Sequence, residues 1–149
     1  MEVLVINCQK RIKLNLVRLR KVAREALKRL GCLDKELSVA LVDDGKMMEL
    51  NRRYLGRDRP SDVLAFPMDS DDGPLLGDVV ISVDRALAQA KQARKGLDEE
   101  LIILLLHGVL HLLGYDHTGS RREASRMAAV QAKLASELAS LLPLASGRP

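Results

Sequence analysis

The sequence predicts an α+β domain: a small mixed β-sheet of about four strands packed with about five helices. Two patterns carry that prediction. Short apolar runs of strand length (Val3–Cys8, Leu37–Val42, Val63–Met68 and Asp78–Val83) are separated by longer segments whose apolar residues recur at helical spacing. No internal repeat or low-complexity linker interrupts them, so 149 residues are read as one domain, long enough to bury a core.

The elements follow in order. VLVINC (Val3–Cys8) is a short buried strand. From Leu16, the residues Leu16, Leu19, Ala23, Ala26, Leu27 and Leu30 mark one helix face, with Arg18, Lys21, Glu25 and Lys28 opposite, and Gly31 stops the helix. LSVALV (Leu37–Val42) is a second strand, and Asp43-Asp44-Gly45 opens a helix to about Tyr54. Leu55–Asp62 is a loop. In the third strand, Val63–Met68, Pro67 lacks the N–H a ladder needs, so that strand lies at an edge or ends there. The polar turn Asp69–Pro74 joins it to Asp78–Val83 as a hairpin. Asp84 is expected to N-cap a helix that Gly96 ends. Asp98, Glu99 and Glu100 suit the first turn of the next helix, where negative charge complements the dipole. That helix is apolar almost all round from Leu101 to Leu113, which makes it the central buried one. Ser120-Arg121-Arg122-Glu123 has capping-box form and starts a last helix to about Leu142. Residues 1–142 are thus the domain and residues 143–149 a flexible C-terminal tail.

Composition narrows the function classes. With 47% hydrophobic and 30% charged residues the chain is globular, not disordered. Cys8 and Cys32 have no close-spaced partner and are expected to be reduced core residues. Met1-Glu2 soon gives way to Lys10-Arg11, so no secretory leader is expected, and the apolar run to Leu113 is too short for a membrane span. A cytoplasmic location without a membrane partner follows as the expectation. The formal net charge is +4, but residues 1–30 hold nine basic and two acidic side chains, a local +7, and Arg52, Arg53, Arg57 and Arg59 cluster near a loop. Such clusters suit a polyanion. Tyr54, Phe66 and Tyr115 are too few for a broad base-stacking platform, so nucleic-acid binding should be directed at phosphates and depend steeply on salt.

All three histidines fall within eleven residues, His107 to His117, spaced H-x3-H-x5-H. His107 and His111 share a helix face one turn apart, Gly114 ends the helix, and the turn beyond it can bring His117 back to them. Three neutral imidazoles on one ion leave a coordination position open, as catalytic zinc sites do. The metal centre is therefore placed on the central helix and the turn after it. Its identity as zinc is not fixed by the ligands, since several first-row ions accept such a set. The zinc-protease signature has the same histidine and glycine spacing, with a glutamate base after the first histidine; here that position is Gly108. Asp116 is the nearest carboxylate, either as a base or as a residue that orients an imidazole.

The segment His107-Gly108-Val109-Leu110-His111-Leu112-Leu113-Gly114-Tyr115-Asp116-His117 resembles the signature of the YbeY endoribonucleases. Pro60-Ser61-Asp62-Val63-Leu64-Ala65-Phe66-Pro67 is similar to that family's P-T-D-V-L-S-F-P segment, and Leu76–Ser82 to its G-D-I-x-I-S strand. The resemblance implies one zinc ion held by His107, His111 and His117, and hydrolysis of single-stranded RNA by metal-activated water during ribosomal RNA maturation, including the 3′ end of 16S rRNA, and ribosome quality control. It implies RNA and the ribosome or its small subunit as partners. Asp116, Arg57 and Arg59 become candidate catalytic residues, and Arg52 and Arg53 candidate substrate contacts. One departure stands out: many members carry an arginine where this chain has Leu55. Two rival readings remain, a ribosome-associated binding module with a structural zinc and a metallopeptidase-like hydrolase, the latter disfavoured by Gly108.

Overall fold

Side chains alternate across a strand, and here that alternation sets two unequal faces on one sheet. The computed structural model describes residues 3–32, 34–56, 61–68, 73–115 and 119–144. Strands β1 (Val3–Asn7), β2 (Glu36–Val42), β3 (Val63–Pro67) and β4 (Leu75–Ser82) are ordered β1-β2-β4-β3. The first three in that order run parallel, and β3 pairs antiparallel with β4 as the expected hairpin. Pro67 is the last residue of β3, on the outer edge, where its missing N–H breaks no ladder.

Val3, Leu37, Val39, Leu41, Val79 and Ile81 point to one face and form the main core with the helices α1 (Leu16–Arg29), α3 (Val83–Gln92), α4 (Leu97–Leu112) and α5 (Arg121–Leu138). The other face carries a smaller cluster of Val42, Leu64 and Val80 under Met47 of α2 (Asp44–Leu50), with Leu50 and Phe66 packed against it. The mixed sheet with five α-helices is the architecture expected from the sequence. Among the described residues no helix is long and apolar enough to cross a membrane.

Several boundaries differ from expectation, each for a local reason. The helix expected to reach Tyr54 is α2 followed by one π-helical turn, Asn51–Leu55, closed by Gly56 at φ 65°. The N-cap of α3 is Ser82, not Asp84: Ser82 Oγ accepts from the Arg85 N–H at 3.2 Å and donates to Asp44 Oδ1 at 2.8 Å. Asp84 reaches sideways instead, accepting from the Asp44 N–H and from Arg11. Gly96 does not end α3. Arg94 takes the left-handed position at φ 56°, with its N–H on Lys91 O and the Lys95 N–H on Ala90 O, while Gly96 N-caps α4. The last helix stops at Leu138 and continues as a 3₁₀ turn, Ala139–Leu141. The packed body also reaches past Leu142, after which the tail was expected to begin. Leu144 is 1% exposed, its N–H bonds Asp98 Oδ1 and its carbonyl accepts from the Asn15 N–H, so the packed body extends through it. Cys8 is exposed and so is not the core residue expected, while Cys32 is half-buried against the margin of the main core. Burial, then the nearby Asp34 charge, pushes the Cys32 thiol above its ordinary pKa, which disfavours the thiolate.

Candidate metal centre

The site begins with how α4 meets the sheet. An added Cβ at Gly108 would sit 2.6 Å from Val79 Cγ1 and 3.3 Å from Val63 Cγ2, so only glycine lets the helix lie this close. Gly77 does the same from the sheet side: its φ is 147°, and a Cβ there would stand 2.4 Å from Phe66 O and 2.9 Å from Leu112 Cδ2. The two glycines seat the last turns of α4 on the β3–β4 edge. Gly108 also explains the missing base, because a longer side chain at that position would be driven into Val79.

With Gly108 against the sheet, His107 and His111 are left half-buried on another side of α4. Their Nε2 atoms stand 3.2 Å apart and their ring centroids 4.7 Å apart. Two imidazole nitrogens sharing one tetrahedral ion at zinc–nitrogen distances stand about 3.3–3.4 Å apart, so the pair fits a single ion without rearrangement. His107 Nδ1 lies 3.1 Å from Gln131 Oε1 on α5. The amide oxygen can only accept, so Nδ1 carries the proton and Nε2 presents its lone pair toward His111. Gln131 was not foreseen from sequence, since it lies 24 residues from its partner on another helix.

After His111 the chain turns as expected. Gly114 adopts φ 95°, its N–H bonds His111 O, and the Tyr115 N–H bonds Leu110 O. These two bonds are those of a Schellman cap, which satisfies the last carbonyls of α4 and reverses the chain beside the histidine pair. His117 and Asp116 fall outside the described residues, as do Arg57 and Arg59. Among the described residues no group of three His, Cys, Asp or Glu converges on one point. Beyond the turn, Arg126 lies over the Tyr115 ring, 5.6 Å from its centroid.

Arg52 and Arg53 are exposed on the π turn. That turn packs through Tyr54 on Phe66, ring centroids 5.9 Å apart, on the opposite face of β3 from Val63 and α4. The structure therefore places these arginines around the sheet edge from the histidines. Arg53 lies over the Tyr54 ring at 5.6 Å. Leu55, 43% exposed, is on the same turn. Sequence reading also missed Asn51, which is fully buried: its Nδ2 donates to Ser61 Oγ at 2.9 Å, tying the two ends of the arginine-bearing loop, and its Oδ1 has no partner among the described residues. An Asn inside a helical run, where it is a poor helix former, was the available signal.

The model of the family described as "Endoribonuclease YbeY" matches residues 4–139, from β1 into the last turn. This chain belongs to the YbeY family. A YbeY endoribonuclease of Syntrophotalea carbinolica is 46% identical over 134 residues, 86% of this chain and 89% of that protein. One of Geobacter sulfurreducens is 45% identical over 140 residues, covering 90% and 93%. The YbeY protein of Aquifex aeolicus is 41% identical over 135 residues, covering 89% and 90%. Among solved structures, the solution structure of TM1509 from Thermotoga maritima superposes with a TM-score of 0.66 at 27% identity, covering 91% of this chain and 88% of that one. The YbeY match takes in all four strands and both helices that carry the histidine pair and Gln131.

Proposed function

We propose that this protein is a metal-dependent, single-strand-specific endoribonuclease acting in ribosomal RNA maturation and ribosome quality control. The observation that carries the reading is the convergent Nε2 pair of His107 and His111, 3.2 Å apart, with His107 held in its tautomer by Gln131. Family membership supports RNA hydrolysis as the reaction. His107, His111 and His117 would hold one zinc ion. When bound, the ion supplies a Lewis acid for the phosphoryl oxygen and for the attacking water.

The chain's own residues do the rest. Gln131 fixes the His107 ring, and α4 fixes His111 one turn away. Gly108 leaves no side-chain base at the position zinc peptidases use, which counts against peptide hydrolysis by that route. Asp116 orients an imidazole, and Arg57 or Arg59 offsets charge on the pentacoordinate phosphorus in place of the arginine absent at Leu55. Arg52 and Arg53, exposed on the neighbouring turn, hold phosphates of the entering strand. The ribosome or its small subunit is the setting, in the cytoplasm.

Cleavage of end-labelled single-stranded RNA tests this, with wild type and His111→Ala purified in parallel and analysed for metal. The expected outcome is cutting by the metal-loaded wild type alone, with the variant down at least about 100-fold. Equal cutting by both preparations would trace the activity to a contaminant and remove the proposal's support.

A further inference from the structure

Helix α1 carries a feature that the catalytic reading does not use. On α1, Arg20, Lys21, Arg24 and Lys28 are exposed and make no ion pair with any described residue. The single acidic residue of the helix, Glu25, is engaged by Arg29 at 3.4 Å, and Arg29 also reaches Glu137 at 3.3 Å. Arg20, Arg24 and Lys28 repeat every four residues, so their stems leave the helix about 6 Å apart along a line about 12 Å long. A shallow groove of about 500 Å³ runs beside them, lined by Val17, Arg20, Lys21, Arg24, Glu25 and Lys28.

This arrangement works against the helix that carries it. Like charges at i and i+4, as in Arg20–Arg24 and Arg24–Lys28, destabilise a helix by about 0.2–0.5 kcal/mol a pair. Cations in its N-terminal half also oppose the dipole, and no acidic residue sits in the first turn to compensate. A face kept at a local cost, with four cations beside a single carboxylate that Arg29 engages, is more than a solvated surface.

We infer that the α1 stripe is a docking rail for the phosphate backbone of a base-paired RNA segment, distinct from the site that cuts. The inference rests on the RNA reading above. Three features select this occupant. The rail holds no aromatic residue, so it offers nothing to unstacked bases, whereas a regular duplex presents phosphates at repeating intervals. The apolar side of α1 (Leu19, Val22, Ala23, Ala26 and Leu27) is spent in the core, which leaves Val17 as the exposed apolar side chain of the helix, too little to enter a lipid surface. The helix packs beside β1, while the part of α4 that bears the histidines rests through Gly108 on β4 and β3, two to three strand spacings or about 10–14 Å across the sheet. A stem held on α1 would leave an adjoining single strand to reach the metal centre.

The test uses the full chain and two probes: a hairpin RNA with a single-stranded 3′ extension, and the extension alone. Arg20→Gln/Arg24→Gln/Lys28→Gln keeps helix-forming side chains at exposed positions and removes three charges. Hairpin binding should weaken at least about tenfold, and the slope of log affinity against log salt should fall by about 2–3, one phosphate contact per lost cation. Cleavage of the extension alone should keep its kcat and KM. The charge-preserving Arg20→Lys/Arg24→Lys variant should bind the hairpin like wild type. Unchanged hairpin affinity and salt slope in the Gln variant would overturn the inference, as would equal losses on both probes, or loss of binding to polyglutamate with hairpin binding intact. If wild type binds the hairpin through the stripe yet cuts neither RNA, the nuclease proposal fails and this one stands.

Discussion

One amide decides which ring nitrogen of His107 faces His111, and so whether the pair could share the proposed ion. Gln131 Oε1 accepts from His107 Nδ1, so the lone pair of Nε2 faces His111 Nε2 at 3.2 Å. Gln131→Leu removes the acceptor at similar volume and should weaken zinc affinity by about 10–100-fold, read by competition with a chromophoric chelator. Gln131→Glu keeps an acceptor oxygen and should retain most of the affinity; equal loss in both variants would mean that packing, not the hydrogen bond, matters. At this scale the histidine pair was legible because spacing on a helix is a sequence property. Gln131 was not, because its role depends on the packing of α5 on α4.

At the scale of elements, close approach and capping decide stability. Gly108 lets α4 rest on Val79 and Val63, both β-branched and held in the sheet, so Gly108→Ala has little room to relax. Urea unfolding should show a loss of about 1–3 kcal/mol. Arg94 ends α3 in the left-handed region, a position that suits glycine. Arg94→Gly should therefore raise stability by about 0.5–1 kcal/mol in the same measurement, with relief of strain outweighing the entropy glycine adds to the unfolded chain. This is also where reading the sequence failed. Gly96 looked like the terminator, yet the Lys95 N–H reaches Ala90 O, and Lys95 Nζ reaches Glu100 Oε1 at 2.7 Å, which closes the turn before Gly96. Gly31 and Gly114, by contrast, end their helices as expected, at φ 73° and 95°.

For the whole molecule, the issue is whether the proposed metal centre holds the fold or only uses it. The main core runs from Val3 through the helices to Leu144 and is built of side chains other than the histidines. Metal removal should therefore abolish RNA cleavage while leaving a cooperatively folded protein. A chelator should lower Tm by about 5–10 °C, the linkage value for an ion near a hundredfold above its Kd, with far-UV circular dichroism retained. Unfolding by chelator would instead support a structural zinc. The same core fastens the C-terminal segment, since Leu144 fills it while its N–H bonds Asp98.

The sequence by itself determined the strand and helix order, the central apolar helix and the histidine pair on it. Those depend on periodicity and on spacing within single elements, which neighbours along the chain specify. Tertiary structure alone decided which way the sheet faces, that Gly108 is a contact point instead of a lost base, and that Gln131 orients His107. It also set Asn51 and Ser61 at the neck of the arginine loop. Each of these joins residues distant in sequence, and such contacts form only when burial of the shared core brings their elements together.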